Sequence, residues 1–364
     1  IIYILIMELQ TYIDETCEYM KQFKEHKLYV RSYFQLNLCI VKCYHNREYD
    51  YDTYPWMKYC RGVVIDTNTN KIVCLPPQKG FQKNDLQKWI EGYDEEHVYE
   101  PLIDGTMVNM FYHKDEWRIA TRSNIGAKNS WDGKQSFLTM FLEVNGTDWF
   151  NSLNKNYCYS FLLHHVNNRN VTPIEMNSIF LIENHERKDG QIIQQPLQEI
   201  ENISTMFQLS KEMLIGYQSD LIYSIKGFTV KTKEKRINWM NPNFEYVKEL
   251  KMNHNDKYLN YISLRQKHLL TEYLQYFPEE RFIFNEYRDE FNMIKFKLYE
   301  RYVSKFIRKE IEMKDIEYPL KPLVYELHEH YKESGEKINI KVVSDYMHQL
   351  DGKKIMFIRN HLKN

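Results

Sequence analysis

The chain has 364 residues, 43% hydrophobic and 27% charged, enough for two domains with buried cores. Its formal net charge of -1 and pI near 7.0 exclude a long-range positive field, so any nucleic-acid contact has to come from a local patch. Twenty-nine Tyr and 19 Phe against only 12 Gly favour compact domains over strung modules.

The opening "IIYILIM" is apolar, but it lacks a basic flank and is far shorter than the roughly 20 residues that cross a bilayer. It reads as an edge strand or as residues upstream of a start at Met7, so no membrane association is expected. Cys17, Cys39, Cys43, Cys60, Cys74 and Cys158 show no CxxC pairing and no zinc-ligand spacing with His. In a chain of this size they point to a reducing compartment and not to secretion. Abundant Asn, Ile, Lys and Tyr suit an AT-rich coding sequence, viral or organellar.

After a mixed segment of about 55 residues, short apolar runs alternate with period two from Tyr59 to about Val247. "RGVVIDTNTNKIVCL", "DGTMVNMFYHKDEWRIATRS", "SIFLIENHERKDGQII" and "SIKGFTVKTKEKRINWM" each predict a β-hairpin, the first three turning at "TNTN", "HKDE" and "RKDG". "NDLQKWIEGY" and "SKEMLIGYQSD" predict helices between them. From about Asp256 the apolar spacing changes to three and four, predicting helices over "YLNYISLRQKHLLTEYLQYF", "RDEFNMIKFKLYERYVSKFIRKEIE", "YPLKPLVYELHEHYKES" and "KVVSDYMHQLDGKKIMFIRNHLK". Pro278, Pro319 and Pro322 punctuate helix starts. The predicted architecture is α+β: antiparallel sheets with flanking helices over residues 1–255, with motifs from 59 to 251, then an all-helical domain over 256–364.

The order of "CRGVV", "PPQKGFQKND", "LIDGTMVNMF", "ATRSNIG", "SFLLHHVNNRNV", "SIKGFTV" and "INWMNPNFEYV" resembles the adenylyltransferase domain of the T4 phage type of RNA ligase. The resemblance implies a nucleotidyltransferase fold, with ATP and Mg as cofactors of any active member. It also implies that the chemical positions have changed type. The family's first motif is Lys-x-Asp-Gly, whereas "LIDG" keeps Asp104 and Gly105 but puts Leu102 where the lysine takes the nucleotide. Leucine cannot form a phosphoramide. Leu162 stands at the glutamate of the third motif. Lys226 stands at the metal-holding glutamate of the fourth. Asn238 and Met240 replace the two lysines of the fifth, although "KELK", Lys248 to Lys251, lies a few residues downstream. Arg61, Lys79, Asp104, Arg122 and Arg169 match positions that persist, and the basic ones leave open an anion or nucleotide pocket.

The alternatives for a displaced nucleophile are Lys83, Lys226 and the pair His164 and His165, which would point to opposite faces of a strand. No P-loop, zinc cluster or G-x-S-x-G elbow offers competing chemistry. Lys231, Lys233, Lys235 and Arg236 in "KTKEKR" read either as an RNA-facing hairpin or as a solvated charged one; the basic and aromatic "KFKLYERYVSKFIRKE" reads first as a solvated helix face over a core stripe. The expectation is therefore an inactive RNA-ligase-like protein, without bound metal or cofactor, retained for assembly with protein partners, a virion being one setting, or for RNA binding. An active ligase with a displaced nucleophile is the alternative.

Overall fold

A computed structural model describes residues 7–131, 133–217, 221–232, 235–252 and 256–363. The predicted edge strand at Ile1 to Ile6 and the candidate Lys233 lie outside the described residues. The chain divides into two compact units, residues 1–246 and 247–364. The division falls inside a helix, Pro242–Lys251, instead of at 255/256.

The first unit opens with helices α1 (Met7–Glu15) and α2 (Tyr19–Glu25). They cover an antiparallel sheet of β1 (Tyr29–Tyr33), β2 (Leu38–Lys42), β3 (Arg61–Asp66) and β4 (Lys71–Cys74), in that order. Leu38 to Val41 and Val63 to Ile65 are wholly buried against Leu9, Ile13 and Phe23, so these strands read as continuous apolar runs. The expected mixed segment is thus half of this sheet and its helical cover.

Next come β5 (Gly80–Gln82), α3 (Leu86–Glu91), β6 (Val98–Pro101), β7 (Thr106–His113) and β8 (Glu116–Ala120). They are followed by α4 (Phe137–Asn145), β9 (Tyr157–His164), β10 (Ser178–Lys188), β11 (Gln191–Gln195) and β12 (Ser204–Thr205). The unit ends with α5 (Lys211–Gly216), β13 (Gly227–Lys231), β14 (Arg236–Met240) and the start of α6 (Pro242–Lys251). A second sheet has the order β11-β10-β9-β7-β8, with β12 beside β10, and a third has the order β5-β14-β13-β6.

All four predicted hairpins form, as β3/β4, β7/β8, β10/β11 and β13/β14. Lys114 and Asp115, at φ 50° and 61°, make the two-residue turn between β7 and β8, and Asp189 and Gly190, at 52° and 76°, make the one between β10 and β11. Both turns carry the paired positive φ whose twist matches the flanking strands.

Two glycines are dictated by close backbone approach. At Gly105, φ +148°, a Cβ would sit 2.8 Å from the Leu163 carbonyl; at Gly227, φ +142°, it would sit 2.1 Å from that of Trp239. Neither obstacle can rotate away. Gly227→Ala is expected to lower stability by about 2–3 kcal/mol, from backbone strain and overpacking together. Urea unfolding reads this as an earlier midpoint, and an unchanged midpoint would contradict the register of β13 on β14.

The second unit is helical: α7 (Lys257–Gln266), α8 (Leu270–Tyr276), α9 (Arg281–Tyr302), α10 (Lys321–Ser334), α11 (Ile340–Gln349) and α12 (Gly352–Lys363). Two predicted helices are each two. His268 breaks the first at φ 59°, and the second breaks at Leu350, just before Asp351, whose side chain accepts the Lys353 amide. The long helix stops at Tyr302, runs through a wider turn over Val303–Ile307, and does not reach Glu312. Three basic residues of this stretch are ion-paired: Arg301 and Lys297 meet Glu317 at 2.9 and 3.1 Å, and Lys305 meets Glu312 at 3.1 Å. Leu298 and Tyr302 are buried, so the apolar stripe is core.

Candidate anion-binding cavity in the first unit

A cavity of about 340 Å³ opens in the first unit, within the range of small-ligand sites. Leu102, in the turn after β6, donates its backbone N–H to the Gly227 carbonyl at 2.9 Å and is among the residues that line the cavity. Leu162 of β9 is buried and lines it as well. Lys226 precedes β13, and Asn238 and Met240 alternate on β14; all three line the same space. The five positions that the resemblance singles out as changed are therefore brought together.

Ile182 joins them because β10 bulges between Leu181 and Glu183 against β9. The extra residue breaks the alternation, so a strand that would otherwise turn every second side chain one way buries Ile182 and Glu183 alike. Asn238 accepts a hydrogen bond from Thr229 Oγ1 at 2.9 Å, and Gln78 Oε1 is buried without a hydrogen-bond partner.

Four cations line the cavity: Arg61, Arg122, Lys226 and Arg236; no lining residue is acidic. Two of the four have carboxylates behind them. Lys226 Nζ lies 3.4 Å from Asp104 Oδ1, whose Oδ2 accepts the backbone N–H groups of Val171 at 2.8 Å and Thr172 at 3.2 Å. Burial works to raise the Asp104 carboxyl, but Lys226 and these two amides outweigh it and hold it below its ordinary value. Arg236 meets Glu183 at 2.8 Å, and Lys231 bridges Glu183 at 3.0 Å and Glu100 at 2.8 Å. Glu183 is fully enclosed, yet Lys231 and Arg236 overcome the cost of burial and hold its carboxyl at about 2.

The other two cations stand apart. Among the described residues, no carboxylate lies within ion-pair distance of Arg61 or Arg122, and Arg122 Nε is buried without a hydrogen-bond partner. Burial and the like charges of Arg122 and Arg236 push Arg61 down to about 10, and burial lowers Arg122. Both remain charged at neutral pH. Desolvated, uncompensated guanidinium groups around a cavity are what an anion site requires.

The other expected positions fall elsewhere. Asp104 is buried behind Lys226 and fastens the 171–172 segment. Lys79 lies over the ring of Tyr51, 4.9 Å from its centroid, and Arg169 donates to the Val171 carbonyl through Nε and Nη2; neither lines the cavity. Of the alternative nucleophiles, Lys83 is exposed, His165 pairs with Glu143 at 3.1 Å, and His164 Nε2 meets the Asp104 carbonyl. Lys248 is exposed on α6, while Lys251 lies over the ring of Phe277. In the hairpin read as RNA-facing, Lys231 and Arg236 are buried and ion-paired, which leaves Lys235 exposed. That expectation is corrected for Lys231 and Arg236, because their carboxylate partners come from β6 and β10. Gln78 went unnoticed inside "PPQKGF". Glu183 could have been flagged as a charge inside the apolar run "FLIE".

The donor set does not fit a divalent metal. The lining offers no carboxylate, a lysine occupies the position expected to hold the metal, and the carboxylates behind the wall are already neutralised. Among the described residues, no group of three or more His, Cys, Asp or Glu is placed to hold an ion.

Over 133 residues the chain is 29% identical to a protein of African swine fever virus named "Putative RNA-ligase", covering 30% of this chain and 29% of that protein. Over 146 residues it is 24% identical to the "Putative bifunctional polynucleotide kinase/RNA ligase" of Autographa californica nuclear polyhedrosis virus, covering 37% of this chain and 21% of that one. The matches thus span less than a third of these relatives' length. A solved structure described as a putative ATP-dependent DNA ligase from Aquifex aeolicus aligns over 74% of this chain and 71% of its own, with a TM-score of 0.40 and 13% identity. No family model matches. The chain is ligase-like in sequence over the matched segments, and its relatives are viral proteins. No helix among the described residues is long and apolar enough to cross a membrane.

Proposed function

We propose that this chain is a T4-phage-type RNA-ligase-like protein, of viral origin like its relatives, that binds a phosphate-bearing ligand without transferring it to a lysine at the usual place. The observation that carries this reading is Leu102 in the lining of a cavity that also holds two guanidinium groups without a carboxylate partner among the described residues. The site has kept the means of holding an anion, while the position that would form the covalent bond is a hydrocarbon. Such a protein serves binding or assembly, with protein partners or RNA, and not strand sealing.

One observation favours a second reading, an active nucleotidyltransferase with a displaced nucleophile: Lys226 lines the cavity with a side chain of the right chemistry. Its amine is paired with Asp104, and a protonated ammonium is not a nucleophile.

The deciding experiment incubates the purified chain with α-labelled ATP, and separately GTP, with Mg or Mn, and follows it by denaturing electrophoresis and intact mass. The expected result is no labelled band from folded protein. A band that maps to Lys226 would establish the second reading.

A further inference from the structure

We propose that the cavity takes a small polyphosphate-type anion directly, without a divalent cation. The inference rests on the anion-binding reading above and adds to it the charge state and metal dependence of the ligand.

The charges carry the argument. A metal ion bound with phosphate needs oxygen donors from the protein, and carboxylates are the usual ones. Here both oxygens of Asp104 are used, one by Lys226 and one by two backbone amides. Glu183 is shared between Lys231 and Arg236, and Glu100 meets Lys231. A divalent ion entering the cavity would face four cations and no lining carboxylate. It would have to displace an existing ion pair to find a ligand, and its own charge would be repelled by the wall.

An anion meets the opposite situation. Arg61 and Arg122 bring two positive charges without a carboxylate partner among the described residues, so a ligand with at least two negative charges neutralises the site. Lys226 adds a third donor at the same wall. Gln78 also lines the cavity, and its buried Oε1 lacks a hydrogen-bond partner among the described residues. Because the positive charge sits on side chains, chelating the metal removes nothing from the site, whereas magnesium bound to the free anion lowers the charge that the site recognises.

The test is calorimetric titration of the full chain with inorganic pyrophosphate, and in parallel ATP, once in excess EDTA and once in excess Mg. The expected Kd in EDTA is equal to or below that in Mg. Binding at least about tenfold weaker in EDTA overturns the metal-free inference and leaves the anion-binding reading standing. No binding of either anion in either buffer overturns both. In Lys226→Met, with folding checked by circular dichroism, the affinity in EDTA is expected to fall at least about tenfold, the scale of one charged hydrogen bond. An unchanged affinity would remove Lys226 from the role assigned to it.

Discussion

Glu183→Gln is expected to destabilise the first unit by about 3–5 kcal/mol, the usual cost of breaking a buried ion pair from one side. The neutral amide would leave Lys231 and Arg236 enclosed with only Glu100 to share. Against a typical total of about 5–15 kcal/mol, that loss brings the unit near unfolding. The pH dependence follows from the same cluster. The Glu183 carboxyl is held at about 2 against an ordinary 4.5. Because the folded value is the lower one, the unfolded chain takes up the proton first on acidification. Stability from this group is therefore complete above about pH 4.5 and is lost as the pH falls towards 2, in total about 3 kcal/mol. Urea midpoints measured from pH 7 down to pH 3 should slope steeply for the parent chain and less for Glu183→Gln. Parallel slopes would show that Glu183 is not the group responsible.

Arg122→Met is expected to separate binding from stability. Arg122 is largely buried, lacks a carboxylate partner among the described residues, and has an Nε with no hydrogen bond. Without a ligand, such a charge is a liability to the fold, and an apolar side chain of similar length removes it. The variant should gain about 1–2 kcal/mol, or roughly 2–8 °C in melting midpoint for a unit of this size. Pyrophosphate affinity should meanwhile fall at least about tenfold. A lower midpoint would mean that Arg122 supports the fold, and unchanged affinity would place the ligand elsewhere.

These two residues also show what the sequence could and could not say. Turn chemistry was local, so "HKDE" and "RKDG" located two hairpins from a few residues each. The breaks at His268 and Leu350 were not legible, because apolar spacing continues across both and only the backbone changes. Lys231 and Arg236 looked like a surface patch because their carboxylates, Glu100 and Glu183, lie far away in sequence and meet them only when β6 and β10 converge. The bulge that buries Ile182 and Glu183 together leaves no mark in an apolar strand. Arg61 and Arg122 were legible as candidates through the resemblance, but their lack of carboxylate partners was not, since that depends on everything packed around them.

The hydrogen bonds of Asp104 bear on how such chains are recognised at all. One carboxylate joins the turn after β6, the segment at Val171 and Thr172, and the approach to β13 at Lys226. Gly105 beside it is required by the nearby Leu163 carbonyl. Both residues thus have architectural duties that do not depend on a neighbouring lysine. A genome search that scores chains by this Asp-Gly pair will gather them by the shape of a turn, and the reaction has to be read from other positions, the residue two places before the aspartate among them.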